Sequence, residues 1–337
     1  MIQKNIFYLK NHLRGFFNLH NVLVTGANGF IGNALCRRML AEGWRVRGAI
    51  RTYAKKHLLP QGVDGVEIGT IDSNTEWEPA LDDIDAVVHL AARVHIMDES
   101  SVDPIIEYRK INVDGTKHLA RIAESKNVRR FVYVSSIKVN GEGRSDSYTA
   151  EDPPAPVDSY AISKLEAEMV LKNIADETGL EVVILRPPLV YGPGVKANFL
   201  QLIGTINRGI PLPLARIKNQ RSIIFLGNLV DAVLICINHP RAAGKTFLLS
   251  DGKDVSIAEL IQKISSALGK PSRLFPFPLD LLRFLAKMTG RSNSVNRLLD
   301  SLIVDNSRIR TELDWIPPFS VEEGLRETAK WYLKAFG

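Results

Sequence analysis

The string VLVTGANGFIG at residues 22–32 constrains the fold more than any other stretch of this chain. A short strand-like run, Val22–Thr25, leads into Gly26, Gly29 and Gly32 and then directly into an amphipathic stretch, Ile31–Glu42. Glycines at a strand-to-helix junction permit a tight turn and let backbone approach a pyrophosphate closely. The helix start beyond them offers unpaired N–H groups and a favourable dipole to an anion. The junction therefore reads as a dinucleotide cradle built from Gly26, Asn28, Gly29, Phe30, Ile31 and Gly32.

The same alternation continues downstream. Short runs rich in Val, Ile and Leu (Arg45–Ile50, Val66–Ile68, Ala86–His89, Phe131–Ser135, Val182–Leu185) alternate with amphipathic stretches such as Ile105–Ser125 and Tyr160–Glu177. Strands buried on both faces need such continuous apolar runs, and the helices between them supply the crossovers. The expected class is α/β, a Rossmann-type doubly wound parallel sheet. After Arg186, five prolines (Pro187, Pro188, Pro193, Pro211 and Pro213) interrupt the pattern before two further strand-like runs, Ile223–Leu226 and Thr246–Leu249, and helical segments follow. This predicts an N-terminal extension over 1–20 and a dinucleotide-binding domain over 21–190 that also receives 222–252. A smaller, mainly helical substrate lobe would comprise 191–221 and 253–337.

At 337 residues, 45% hydrophobic and 24% charged, the chain is neither disordered nor collagen-like. Its longest apolar stretches are cut by Asp231, Asp280 and Arg283, short of the ~18 residues a spanning helix needs, so no stable membrane insertion is expected. Residues 1–20 lack the apolar core and cleavage site of a secretory signal, and an extended start or disordered arm is favoured there over a membrane-surface helix. Cys36 and Cys236 stand far apart without a partner motif, which indicates two small core residues in a reducing cytoplasm. The seven histidines show no metal-ligand spacing, so no metal site is expected. Of 43 Lys and Arg, three (Lys4, Lys10 and Arg14) fall in residues 1–20 with no acid, leaving 40 against 37 acidic side chains. That mild balance suits a phosphate-bearing ligand and not a nucleic acid.

Two positions carry chemistry. Tyr160 and Lys164 are four residues apart on one helix face, so the ammonium can sit near the phenol and favour its ionised form. Tyr160 is then the general acid or base on a hydroxyl or ketone. Arg51 follows a second strand that ends in Ile50 without an acid, with Lys55 and Lys56 behind it. An acid there would accept bonds from the adenosine ribose of NAD, whereas a guanidinium grips a 2′-phosphate. The reading favours NADP(H), with NAD(H) as the alternative.

TGANGFIG, VVHLAARVH, INVDGTKHL, YVSSIKVNG, YAISK, LRPPLVYGPG and ELDWIP together resemble the extended short-chain dehydrogenase/reductases, and among them the nucleotide-sugar 4-epimerases and 4-keto reductases, over residues 21–337. The resemblance implies Ser136 as the catalytic hydroxyl beside Tyr160 and Lys164, with Ser135 as its second-best substitute and a substrate contact. It places Asp72 near the adenine side, and Leu90, Ala91 and Ala92 beside the ribose and nicotinamide. Asn112 falls near the catalytic pocket, and Pro187 with Pro188 along the nicotinamide wall; His89 is a sheet-end residue. Asn198, Arg221, Asp305 and Arg308 match the nucleotide-diphosphate groove. Ile137 and Lys138 stand where 4,6-dehydratases of the family carry an Asp-Glu pair, which argues against water elimination.

The expected activity is NADPH-dependent reduction of the 4-keto group of a UDP-linked amino- or deoxyhexose in the cytoplasm, by a homodimer feeding polysaccharide synthesis. The alternatives are a UDP-hexose 4-epimerase with tightly held NAD and a non-catalytic dinucleotide sensor on the same fold.

Overall fold

The computed structural model describes residues 20–94, 103–288 and 298–337; except for His20, the expected N-terminal extension lies outside the described residues. Seven parallel strands form the central sheet: β1 (Asn21–Thr25), β2 (Arg45–Ile50), β3 (Asp64–Glu67), β4 (Ala86–His89), β5 (Arg130–Val134), β7 (Glu181–Arg186) and β10 (Thr246–Leu248). Their order is β3-β2-β1-β4-β5-β7-β10. Two small parallel pairs lie outside it, β6 (Ser147–Tyr148) with β11 (Ile303–Val304) and β8 (Leu189–Tyr191) with β9 (Ile223–Phe225).

Both faces of the sheet are covered, which is why its strands read as unbroken apolar runs. Helices Phe30–Ala41 and Leu226–Asn238 pack on one face, through Leu35, Met39, Leu229 and Val233. Helices Gly115–Ser125 and Ser159–Thr178 pack on the other, through Leu119, Ala123, Ala167 and Leu171, with Trp77 buried among them. A third core, centred on Tyr191, Phe199, Phe225, Ile261 and Tyr332, joins β8 and β9 to the helices Ala197–Asn207, Ile257–Ala267 and Val321–Phe336.

Three expected elements differ in detail. β3 begins two residues earlier than Val66, because Asp64 and Gly65 already pair with Arg47 and Gly48. The run Ile223–Leu226 splits: Ile223–Phe225 pairs with β8, and Leu226 opens a helix. The amphipathic stretch at 105–125 is helical, but a wider π turn over Lys110–Asp114 interrupts it. Such turns frequently mark functional positions, and this one carries Asn112.

Candidate active site

The sheet order reverses between β1 and β4, and the crevice outside the carboxyl ends of such strands is where doubly wound folds bind ligands. Gly26, in the left-handed region at φ +66, lies against the Ala91 backbone, where a Cβ would come within 3.2 Å of the Ala91 nitrogen. At Gly32 a Cβ would stand 2.2 Å from the Gly26 carbonyl oxygen, so only glycine fits. The helix that follows is capped by Gly29 with no side-chain hydrogen bond, which leaves its first N–H groups available to a pyrophosphate. Phe30 packs against Gly194 of the YGPG turn, and Ile31 against the core beneath the sheet. Thr25 fixes the other lip: its Oγ1 accepts from the Leu90 and Ala91 nitrogens, both at 3.1 Å. These residues fit a dinucleotide.

On the adenosine side Ile50 is buried and Arg51 exposed. A feature the sequence reading missed lies beside them. Glu67, paired in register with Ile50, accepts the Tyr53 N–H at 2.7 Å, so an acid from β3 borders this side although β2 ends without one. Asp72 lies in the loop after β3, accepts the Asn74 N–H at 2.9 Å and is 3.9 Å from the Lys110 ammonium.

β5 and the Ser159–Thr178 helix bring Ser136, Tyr160 and Lys164 together. Ser136 follows β5, accepts the Lys138 N–H at 3.3 Å and lies near enough to the Tyr160 phenol to act on its ionisation. Asp158 caps the helix by accepting the Ala161 N–H at 2.8 Å. Burial pushes the Tyr160 phenol up to about 12; the Asp158 carboxylate adds to this and Ser136 opposes it. Lys164 differs from the expectation. Its ammonium donates to the Val134 carbonyl at 2.8 Å and lies over the Tyr133 ring, so it does not lower the phenol here. A buried ammonium has to satisfy its donors, and the end of β5 supplies an acceptor and an aromatic face. Burial pulls Lys164 down to about 7, against the opposing pull of Glu168.

Asn112 ties two parts of the site together. Its amide donates to the Ser163 hydroxyl at 2.9 Å and the Arg93 carbonyl at 3.0 Å, and its Oδ1 accepts the Arg93 N–H at 2.8 Å. The π turn is anchored in turn by a buried chain. Thr116 donates to the Asn112 carbonyl at 2.7 Å, leaving its oxygen to accept from His89 Nε2 at 3.0 Å, while Thr25, already accepting two N–H groups, donates to His89 Nδ1 at 2.6 Å. Only the neutral Nε2–H imidazole satisfies every member. Burial, and then the Lys164 charge, holds His89 down at about 3. It is a sheet-end residue by position and a link between the glycine turn and Asn112 by its bonds.

Arg186 donates to Glu168 of the Ser159–Thr178 helix at 2.9 Å and to Asn140 Oδ1 at 2.9 Å, all three being buried. Asn140 donates onward to the Thr149 carbonyl at 2.9 Å. This cluster fastens the segment after Ser136 to the end of β7. Pro187 is buried there, its carbonyl accepting the Ile137 N–H at 3.0 Å. Ser135 is buried too, its N–H bonded to the Leu185 carbonyl at 2.7 Å.

The four groove residues lie on separate elements. Asn198 is exposed at the second position of the Ala197–Asn207 helix. Arg221 donates to the Asp300 carbonyl at 2.9 Å, and burial lowers its guanidinium. Asp305 accepts the Ser307 N–H at 2.7 Å, whereas Arg308 pairs with Glu151 at 2.9 Å and Glu312 at 2.8 Å. Arg308 is thus committed to two acids of its own chain.

A glycine cradle at the strand-order switch with a Ser-Tyr-Lys set beyond it defines a dinucleotide-dependent short-chain dehydrogenase/reductase. Residues 22–257 match the NAD dependent epimerase/dehydratase family, and the chain belongs to that family of enzymes. It is 42% identical over 321 residues to a UDP-glucose 4-epimerase of Vibrio cholerae, covering 94% of this chain and 96% of the relative. A N-acetyl-alpha-D-glucosaminyl-diphospho-ditrans,octacis-undecaprenol 4-epimerase of Escherichia coli O157:H7 is 25% identical, covering 92% and 95%. Among solved structures, MoeE5 in complex with UDP-glucose and NAD superposes with a TM-score of 0.76 at 25% identity, over 94% of this chain and all of that one.

Proposed function

We propose that this enzyme moves hydride at C4 of a UDP-linked hexose and works as a 4-epimerase with a retained NAD. The observation that carries this reading is the 42% identity, over nearly the whole of both chains, to a UDP-glucose 4-epimerase. When bound, the dinucleotide supplies the hydride acceptor and donor. Tyr160 exchanges a proton with the C4 hydroxyl, Ser136 holds the same oxygen, and Lys164, bonded to the Val134 carbonyl, braces the end of β5 beside them. Ile137 and Lys138 stand where an acid pair would be needed next to Ser136 for elimination of water.

Arg51 supports a second reading, 4-keto reduction with NADPH. It is exposed at the end of a strand that lacks an acid, in position to meet a 2′-phosphate. Denaturing the purified protein and weighing the released dinucleotide separates the two. Near-stoichiometric NAD, with interconversion of UDP-glucose and UDP-galactose, is the result expected for the epimerase. Little bound cofactor, with NADPH consumed on a 4-keto sugar nucleotide, would replace it with the reductase. We place the enzyme in the cytoplasm as a homodimer, through the helix faces exposing Ile106 and Met169. A monomeric mass by light scattering would remove that part.

A further inference from the structure

The helix Leu279–Met288 carries two apolar faces. At 100° per residue, Leu279 and Leu282 point to one side and pack into the third core, while Leu281, Phe284 and Met288 point to the opposite side and are exposed, by 44%, 57% and 71%. Arg283 and Lys287 lie between the two faces. The segment before this helix pairs with residues 209–215: the Leu212 N–H donates to the Arg273 carbonyl at 2.9 Å, the Phe275 N–H to the Leu212 carbonyl at 3.1 Å, and the Arg273 guanidinium to the Gly209 carbonyl at 3.0 Å. Ile210 and Phe275, on these two paired segments, are exposed as well.

Across residues 208–218 and 270–288 there are seven Lys and Arg, all exposed, and one acid, Asp280. No ion pair joins any of the seven to an acid among the described residues. Charge narrows what can cover this surface. A second copy meeting it face to face would oppose cation to cation. Residues 1–19, the longest segment outside the described residues, hold three cations and no acid and are repelled likewise. An outward stripe of Leu, Phe and Met flanked by cations that meet no acid among the described residues is the chemistry that seats on an anionic bilayer, the ring and thioether entering the acyl boundary and the cations meeting headgroups.

We propose that this face of the C-terminal lobe docks the enzyme peripherally on an anionic membrane surface, through Leu281, Phe284 and Met288. The binding is independent of which reaction the active site performs.

Flotation of the full chain with lipid vesicles tests this. The protein should float with vesicles of phosphatidylcholine mixed with phosphatidylglycerol and stay behind with phosphatidylcholine alone, and salt should release it. The triple variant Leu281→Glu, Phe284→Glu, Met288→Glu should lose flotation, and Arg283→Gln and Lys287→Gln should each weaken it about five-fold. Since the triple change could disturb the lobe, Phe284→Trp offers a second readout: brominated phosphatidylglycerol vesicles should quench the added tryptophan. A wild type that does not float, or a folded triple variant that floats as well as wild type, would overturn the proposal. So would a stripe whose substitution changes only the oligomeric state.

Discussion

The Lys164 ammonium lies 4.2 Å from the centroid of the Tyr133 ring, although Tyr160 is one helical turn away. It is buried, bonded to a single carbonyl and pulled down to about 7, so its charged form is disfavoured in the folded protein relative to its ordinary 10.5. Between about pH 7 and 10.5 the unfolded chain then binds more protons than the folded one, and stability climbs with pH across that window. Below about 7 both states carry the charge and the full penalty is felt. Lys164→Met should therefore melt higher than wild type near pH 6, by roughly 1–3 kcal/mol, and the difference should fade toward pH 10. Thermal melts of both proteins across this range provide the check.

Tyr160→Phe leaves the ring in place and removes the phenol to which the proposed reaction assigns proton exchange with the substrate. Turnover should fall roughly 100- to 10,000-fold, with dinucleotide affinity unchanged, because the glycine cradle and Thr25 do not touch the phenol. Steady-state rates alongside cofactor titration test this, and near-normal turnover would assign the proton to another group.

The parallel sheet was legible because a sheet covered on both faces needs apolar runs, and the glycine turn because three glycines at a strand–helix junction have few other uses. The Tyr160–Lys164 spacing made the Ser159–Thr178 helix legible but not where the ammonium goes. Every residue of β5 is buried, so no alternation singled out Tyr133 as the ring beneath it. The π turn was hidden because an apolar pattern running through 105–125 is compatible with one regular helix. His89, Thr25 and Thr116 are scattered in sequence, and only the fold shows that they form one chain. Glu67 was not legible because only the pairing of β3 with β2 brings it level with Ile50.

His89 is neutral with a folded value of about 3, against 6.5 ordinarily. Its pKa is depressed, so its contribution is complete above pH 6.5 and is lost as pH falls toward 3. His89→Phe strands the Thr25 and Thr116 hydroxyls and should lower stability at pH 7 by about 1–3 kcal/mol. Its stability should also depend less on pH between 6.5 and 3. Urea melts at pH 7 and 4.5 measure both effects, and parallel pH curves for the two proteins would rule out His89 as the titrating group.

The Arg186–Glu168 pair ties the end of β7 to the Ser159–Thr178 helix with both side chains buried. Glu168→Gln leaves the Arg186 charge in a site built for a pair, and a loss of about 3–5 kcal/mol is expected. Because Glu168 also raises Lys164, the variant should shift the ammonium further below 7. Urea unfolding reads the first effect, and the pH dependence of Lys164 acetylation, followed by mass spectrometry, reads the second. An unchanged unfolding midpoint would mean that Arg186 has relaxed onto Asn140 and other acceptors.

Variants of Arg51 and Glu67 test the choice of cofactor by charge. If a 2′-phosphate binds beside Arg51, Arg51→Ala should weaken NADPH about 10- to 100-fold and leave NADH nearly unchanged, since only the former carries the lost partner's charge. Glu67→Gln should then act in the opposite sense, strengthening NADPH by removing a negative charge from the same side. If the enzyme holds NAD, Arg51→Ala should weaken both dinucleotides alike and only slightly. Titrating the two reduced cofactors into wild type and both variants, with fluorescence as the readout, yields the four differences needed. Equal losses for NADPH and NADH would make Arg51 a solvated loop residue and leave the epimerase reading without a charge-based rival.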